Sequence, residues 1–241
     1  MPTDKAVSLI RGPQGTVVKI TVMRAGKSQP MNFVITRAVI NVPTVDTKIV
    51  GDVFVISLYN FYAEAVKDFN KALQAFVDSK KTKLVLDLRG NPGGYLDAAV
   101  DMASWFLPAG KVIVREDAGD GKGETVYRSK GYDIFNDNLK MAILIDGGSA
   151  SASEILAGAL QEQGIARLVG TKSYGKGSVQ ELLPVTASTS LKVTIAKWLT
   201  PNGKSISLNG LTPDVEVKIS DADIKAGKDP QLDKAVELLD K

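Results

Sequence analysis

Apolar positions along this chain change their rhythm near residue 40, and the change divides it in two. Before that point the pattern is short and β-like. Val17, Lys19, Thr21 and Met23 alternate with Val18, Ile20 and Val22, the period of two that a strand with one covered face requires. Residues 31–40 predict its partner across a turn at Gly26. Thr3 is placed to cap a short helix to Ile10, which Arg11-Gly-Pro-Gln-Gly15 breaks. One helix and two strands bury little core, so residues 1–40 read as a small unit docked on the rest or as the remnant of something larger.

From residue 41 strands and helices alternate. Strands are predicted at 53–58, 84–88, 111–115, 124–129, 141–145, 166–169, 178–185 and 190–198. The clearest amphipathic helix covers 62–79, with Val66, Phe69, Leu73, Phe76 and Val77 on one face. Further helices lead to about Leu107, start at Ser151, and span about 229–240. This order predicts an α/β fold with a partly parallel sheet.

Composition narrows the chemistry more than the fold. The chain has 241 residues, 44% hydrophobic and 24% charged, with a net charge of +3 and no long basic run. Nucleic acid is therefore not expected as the main partner. No apolar run reaches the roughly 18–20 residues that span a bilayer. No signal peptide precedes the first predicted element, and Met1 opens in mid-fold, as if a targeting segment had been removed. The chain contains no cysteine and no histidine. Disulfides and thiolate sites are excluded and a zinc enzyme is not expected, while an all-oxygen Mg²⁺ or Ca²⁺ site stays open.

The missing histidine matters most for serine chemistry. A serine nucleophile must give its proton to a base, and here only lysine or a carboxylate can take it. Two glycine-rich turns follow predicted buried strands and lead into helices: Gly90-Asn-Pro-Gly-Gly94 and Gly147-Gly-Ser-Ala-Ser151. Strand carboxyl ends are where α/β sheets bind ligands, and unpaired N–H groups at helix starts can hold an oxyanion. One turn can thus present a nucleophile and the other complete its oxyanion hole. Against this, Ser151-Ala-Ser-Glu154 is also an S-x-x-E capping box, in which Ser151 merely caps a helix. Ser149 and Ser153 remain candidates that spacing alone does not dismiss.

Lys176, between Gly175 and Gly177, is the candidate base. Residues 170–177 nearly match the phosphate-binding G-x-x-x-x-G-K-[ST], but Gly177 stands where a hydroxyl is needed and a strand follows where a helix is required. A phosphate loop is rejected. A lysine base must be neutral, and moving its pKa from about 10.4 to about 7 is worth roughly 4–5 kcal/mol. That predicts burial, with Tyr174, Leu182, Leu183 and Trp198 as an apolar wall. Gln180 is placed to orient the amine through a neutral hydrogen bond.

At these residues the chain resembles the carboxyl-terminal processing (tail-specific) serine proteases. The likeness is carried by Asp87-Leu-Arg-Gly-Asn-Pro-Gly-Gly94, Gly148-Ser-Ala-Ser-Ala-Ser-Glu154 and Tyr174-Gly-Lys-Gly-Ser-Val-Gln180. Thr200-Pro-Asn-Gly-Lys-Ser-Ile206 and Gly210-Leu-Thr-Pro-Asp214 resemble later segments of the family. The resemblance implies Ser151 as nucleophile, Lys176 as general base and Gln180 as the residue that positions the lysine. It implies an oxyanion hole from the N–H of Ala152 and one from the Gly93-Gly94 turn. It further implies a core like that of the caseinolytic protease and crotonase superfamily over residues 41–241. Residues 1–40 would be the second half of a PDZ domain, lacking its carboxylate-binding loop. The expected activity is endopeptidase cleavage near the C-termini of unfolded or tagged proteins, with no metal or organic cofactor. Protein or peptide substrates are the expected partners, homo-oligomerisation is left open, and the expected location is the bacterial periplasm or cell envelope. Two rivals stand beside it: a crotonase-like acyl-CoA enzyme, and a catalytically inert peptide-binding module.

Overall fold

A computed structural model describes residues 1–40, 43–119, 121, 123–135, 138–186 and 189–240. The chain separates into two compact units, Met1–Val42 and Pro43–Lys241. The expected boundary at residues 40 and 41 lies beside this division, with 41 and 42 outside the described residues.

The first unit holds helix α1 (Thr3–Ile10) and the antiparallel hairpin of β1 (Val17–Val22) and β2 (Met31–Thr36). β1 shows the expected alternation, with Val18, Ile20 and Val22 its less exposed residues. None of the described residues of this unit is fully buried. Polar contacts hold it instead: Arg37 donates to the Ile10 carbonyl at 2.7 Å and to Thr16 Oγ1 at 2.8 Å. Two expectations are corrected here. Thr3 is the first helical residue rather than a cap, because Pro2 occupies the cap position with its fixed φ. β2 ends at Thr36, short of Ile40; Arg37 still pairs through its backbone with Gly15 and Thr16, each at 2.8 Å, while its side chain ties the end of α1.

The second unit opens with β3 (Val45–Val50), β4 (Val53–Leu58) and α2 (Ala63–Asp78), then β5 (Lys83–Asp87) and α3 (Leu96–Ser104). β6 (Val112–Asp117), β7 (Glu124–Arg128), β8 (Lys140–Ile145), α4 (Ala152–Glu162) and β9 (Ala166–Gly170) follow. The chain ends with β10 (Ser178–Pro184), β11 (Ser190–Leu199), β12 (Val215–Glu216), α5 (Asp221–Ala226) and α6 (Pro230–Leu239). Six strands form one sheet in the order β12-β9-β8-β5-β4-β3, parallel except for β3 at one edge.

The central strands read as continuous apolar runs because both faces are covered. Phe54, Ile56, Leu58, Leu84, Leu86, Met141, Ile143 and Ile145 join one core with residues of α2, α3 and α4. Their neighbours Val53, Val55, Val85, Ala142 and Leu144 pack on the other face with Leu232, Ala235 and Leu239 of α6. A second, antiparallel sheet has the order β10-β11-β6-β7. It begins two residues after Lys176. β3 was not predicted, since its polar Asp46, Thr47 and Lys48 suit an exposed edge and break the apolar alternation.

Candidate active site

β5 and β8 are adjacent and parallel, with Asp87 opposite Leu144, so the turns that follow them meet at one end of the sheet. Asn91 knits the two together. Fully buried, it donates from Nδ2 to the Leu58 carbonyl at 2.7 Å and accepts the Gly93 N–H at 2.9 Å. Its own carbonyl accepts the Ala150 N–H at 3.0 Å and the Ser153 hydroxyl at 2.9 Å. Asp146 does the same from the other side, taking the N–H groups of Gly90 and Gly148, each at 2.8 Å. Glycine is required where the backbones touch. A Cβ on Gly148 would lie 2.7 Å from Gly90 Cα.

The three candidate serines separate on this scaffold. Ser149 is buried, donating to the Leu88 carbonyl at 2.8 Å and accepting the Asp146 N–H at 3.0 Å. Ser153 is buried and committed to Asn91. Ser151 alone is partly exposed, and its backbone has φ 55° and ψ −114°. Such a conformation costs a non-glycine residue on the order of 1–3 kcal/mol and clusters at functional sites. It is also the sharp strand-to-helix turn that lifts a nucleophilic serine clear of a sheet. The capping-box pattern is present, but the Glu154 N–H aligns on the Ser151 carbonyl at 2.9 Å, and the side chain makes no cap hydrogen bond.

The oxyanion candidates lie against this serine. A Cβ on Gly93 would be 2.9 Å from both Ser151 Cβ and Ala152 N. The Gly93 N–H is already given to Asn91, which leaves that of Gly94 as the unengaged donor of the turn among the described residues. Ala152 N, at the first helical position, is likewise unengaged there.

Lys176 reaches the site by its backbone. The Tyr174 N–H donates to the Ser149 carbonyl at 3.0 Å. Gly175 and Lys176 donate to the Glu154 carboxylate at 2.7 and 3.0 Å. The Gly177 carbonyl accepts the Trp198 N–H at 2.6 Å, and a Cβ on Gly177 would fall 2.2 Å from Ser207 N. Leu208 N–H donates to the Gly175 carbonyl at 3.0 Å and Ser173 N–H to the Leu211 carbonyl at 3.1 Å, so the chain from Ile206 to Leu211, which joins the two family-like segments, supplies the bed on which this loop rests.

The predicted burial of the lysine is not met: its side chain is exposed. Trp198 is buried at 7% exposure, but Tyr174 and Leu182 stand 66% and 64% exposed, and Leu183 is exposed too. Leu182 and Leu183 belong to β10, an edge strand of the second sheet whose residues from Gln180 to Pro184 are all exposed. Gln180 is also exposed, at a register break between Val179 and Gln180, the kind of bulge that re-aims a side chain.

Behind the turns, Arg89 donates to Asp87 at 2.6 Å and to Asp229 at 2.8 Å, tying β5 to the start of α6. Burial pushes the Arg89 guanidinium down, but its bonds to Asp87 and Asp229 outweigh that and raise it. Burial likewise pushes Asp229 up, yet the Arg89 hydrogen bonds hold it below its usual value. Among the described residues no acidic cluster could hold a metal ion, and no helix is long and apolar enough to cross a membrane.

Two residues of the site, Asn91 and Glu154, lie outside the expected set. Asn91 stood inside a recognised motif, and its Asx-turn chemistry was the available signal. Glu154 fits a helix cap by its spacing from Ser151, but a charge followed by Ile155-Leu-Ala-Gly-Ala-Leu160 also signals a buried carboxylate that needs donors.

Comparison with known proteins extends these observations. The peptidase family S41 model matches residues 52–217. The chain is 37% identical over 219 residues to a carboxy-terminal-processing protease of Bartonella bacilliformis, across 89% of this chain and 50% of that protein. With the carboxy-terminal processing protease CtpB of Bacillus subtilis the identity is 38% over 226 residues, across 90% and 46%. The chain therefore spans about half the length of the curated relatives it matches. Its fold superposes on the photosystem II D1 C-terminal processing protease with a TM-score of 0.69 at 25% identity, across 86% of this chain and 57% of that one.

These likenesses correct the expected core. The architecture is the α/β fold of the S41 carboxyl-terminal processing proteases, not a core like that of the caseinolytic protease and crotonase superfamily. That core is an implication of the resemblance, which rests on short motifs, and the glycine-rich turns among them are a local answer to the need for free N–H groups at strand ends. Strand order and the second sheet decide the fold, and neither is encoded in those turns.

Proposed function

The chain belongs to peptidase family S41, and on that premise we propose that it is a serine endopeptidase that cuts proteins near their C-termini. The observation that carries this is Ser151: the one serine of three not locked to the backbone, in a strained turn at the start of α4, with Gly93 pressed against it.

In the proposed mechanism Ser151 Oγ attacks the scissile carbonyl and Lys176 Nζ takes its proton. The N–H groups of Ala152 and Gly94 hold the oxyanion as charge develops on it, each worth on the order of 3 kcal/mol in the transition state. Collapse of the tetrahedral adduct breaks the C–N bond, and Lys176 returns the proton to the leaving amine. Water then releases the acyl group by the same steps in reverse order. Gln180 orients the amine. Because Lys176 is exposed, a bound polypeptide lying over β10 is needed to take the amine out of water, with Leu182 and Leu183 as its apolar contacts. Residues 1–40 are read as the second half of a PDZ domain, on the strength of their helix and antiparallel hairpin.

Mass spectrometry of a disordered protein with an apolar C-terminus, incubated with this chain, Ser151→Ala and Lys176→Ala, tests the proposal. Cleavage by the parent and by neither variant is expected. Cleavage that survives Ser151→Ala would overturn it. Binding that persists in Ser151→Ala, without turnover by any form, would favour an inert peptide-binding module.

A further inference from the structure

The four-residue capping box at the start of α4 contains a group whose connections exceed what a cap needs. Glu154 is 1% exposed, inside a helix in which every residue from Ala152 to Leu160 is buried. Both of its carboxylate oxygens are doubly used. Oε2 accepts the Ser151 N–H at 2.9 Å and the Lys176 N–H at 3.0 Å. Oε1 accepts the Ser173 hydroxyl at 2.5 Å and the Gly175 N–H at 2.7 Å. A helix cap accounts for the first of these four bonds only. The other three run to the loop that carries the candidate base.

From this geometry we propose that Glu154 is a positioning residue that fixes the backbone of Lys176 relative to Ser151, so that nucleophile and base are held on one buried carboxylate. The proposal rests on Ser151 and Lys176 being the reacting pair. Three features support it. First, one oxygen bridges the two residues directly, since the same Oε2 takes both their N–H groups. Second, the site demands an acceptor at every position. The donors are three backbone N–H groups, which cannot reverse, and the Ser173 hydroxyl, whose oxygen already accepts the Leu211 N–H at 2.6 Å. A glutamine would therefore turn an NH₂ toward a fixed N–H donor in either flip, toward those of Ser151 and Lys176 in one and toward that of Gly175 in the other, where only the Ser173 hydroxyl can turn to accept. Third, an anion this deeply buried is tolerated only when hydrogen-bonded throughout, and here all four contacts are made.

The consequence is mechanical. The Lys176 backbone is pinned to α4, so bringing the amine to Ser151 falls to the lysine side chain and to the β10–β11 hairpin beyond Gly177. Tyr174 N–H to Ser149 is an independent backbone link. It keeps the loop attached when Glu154 is altered, so Glu154→Gln is expected to fold.

Two measurements on the full chain test this. The first is the rate at which a fluorophosphonate labels Ser151 in the parent, Glu154→Gln, Lys176→Ala and the double variant. Glu154→Gln is expected to slow labelling by about 100-fold, the cost of a misplacement near 1 Å. In the Lys176→Ala background the same change is expected to cost only a few-fold, because groups that act as a unit do not add. An equal factor in both backgrounds would overturn the proposal and leave Glu154 a mere cap. The second is amide hydrogen exchange, which needs no activity. Exchange at Gly175 and Lys176 is expected to quicken by about tenfold or more in Glu154→Gln, the loss of a charge-assisted bond, while β8 and β9 stay protected. Unchanged exchange at those two amides would overturn it as well. A parent that exchanges as expected but never labels would count against the serine reading and not against the Glu154 link. Should Glu154→Gln fail to fold, Ser173→Ala removes one of the four bonds and is read in the same two ways.

Discussion

The two halves of the site are built to different standards. Around Ser151 the turns are tied down by buried or half-buried acceptors: Asn91 accepts three hydrogen bonds, the Asp146 carboxylate two N–H groups and the Glu154 carboxylate four hydrogen bonds. Lys176 itself is exposed, and the strand that follows it, β10, is an edge strand on which Leu182 and Leu183 are exposed. The first half lies between buried parallel strands, where any unpaired polar group would be costly. The second lies at the rim of a small antiparallel sheet, where water can serve. The difference teaches that the proposed nucleophile is preorganised by the fold, whereas the proposed base needs something to cover it before it can act.

Removing either reacting group should give the largest effects. Ser151→Ala should lower kcat/KM on the order of 10⁶-fold, and Lys176→Ala about 10²–10⁴-fold, both with an unchanged melting temperature. A Lys176→Ala variant with full activity would break the comparison by showing that the exposed half takes no part. Gly93→Ala should lower activity about 10²–10³-fold. Its φ is +95°, and the new Cβ would sit 2.6 Å from the Ala150 carbonyl oxygen and 2.9 Å from Ala152 N. Steady-state kinetics with a check of folding would measure it.

Asn91→Ala tests the rigid half through stability. It leaves the Leu58 carbonyl and the Gly93 N–H unpaired in a buried site, so denaturant unfolding should show a loss of about 2–3 kcal/mol. Asp229→Asn is a gentler probe of the Arg89 support, with an expected loss of about 1 kcal/mol near neutral pH. The folded Asp229 carboxyl titrates below its ordinary value of 3.8. Its stabilisation is therefore full above that value and is lost as pH falls through the folded pKa. Thermal melts between pH 2 and 5 should fall more steeply for the parent than for Asp229→Asn. Smallest in stability is Leu182→Ser on the exposed half, expected within about 0.5 kcal/mol. It should nevertheless lower kcat/KM, because Leu182 is read as a surface that substrate covers.

The same division explains what could be read from the sequence. β4, β5, β8 and α2 announced themselves, because buried elements must carry long apolar runs or a clean helical stripe. So did the two glycine turns, where Gly93 and Gly148 meet backbone that tolerates no Cβ. β3, β12 and α5 were not legible: a polar edge strand, a two-residue bridge and a short helix with no buried residue carry little pattern. Ser149, Ser151 and Ser153 could not be told apart until Leu88, Asn91 and Asp146 were seen to claim two of them. The apolar wall expected around Lys176 is not met, because Tyr174, Leu182 and Leu183 are exposed and an apolar residue type does not reveal that its strand lies at a sheet edge.

The central claim is that Ser151, alone among the three serines of its turn, is a nucleophile. Incubating the full chain with a fluorophosphonate and mapping the adduct by tandem mass spectrometry tests it most directly. A single adduct on Ser151, lost in Ser151→Ala and formed far more slowly in Lys176→Ala, is the predicted result. An adduct on Ser149 or Ser153, or a labelling rate unchanged in Lys176→Ala, would contradict it.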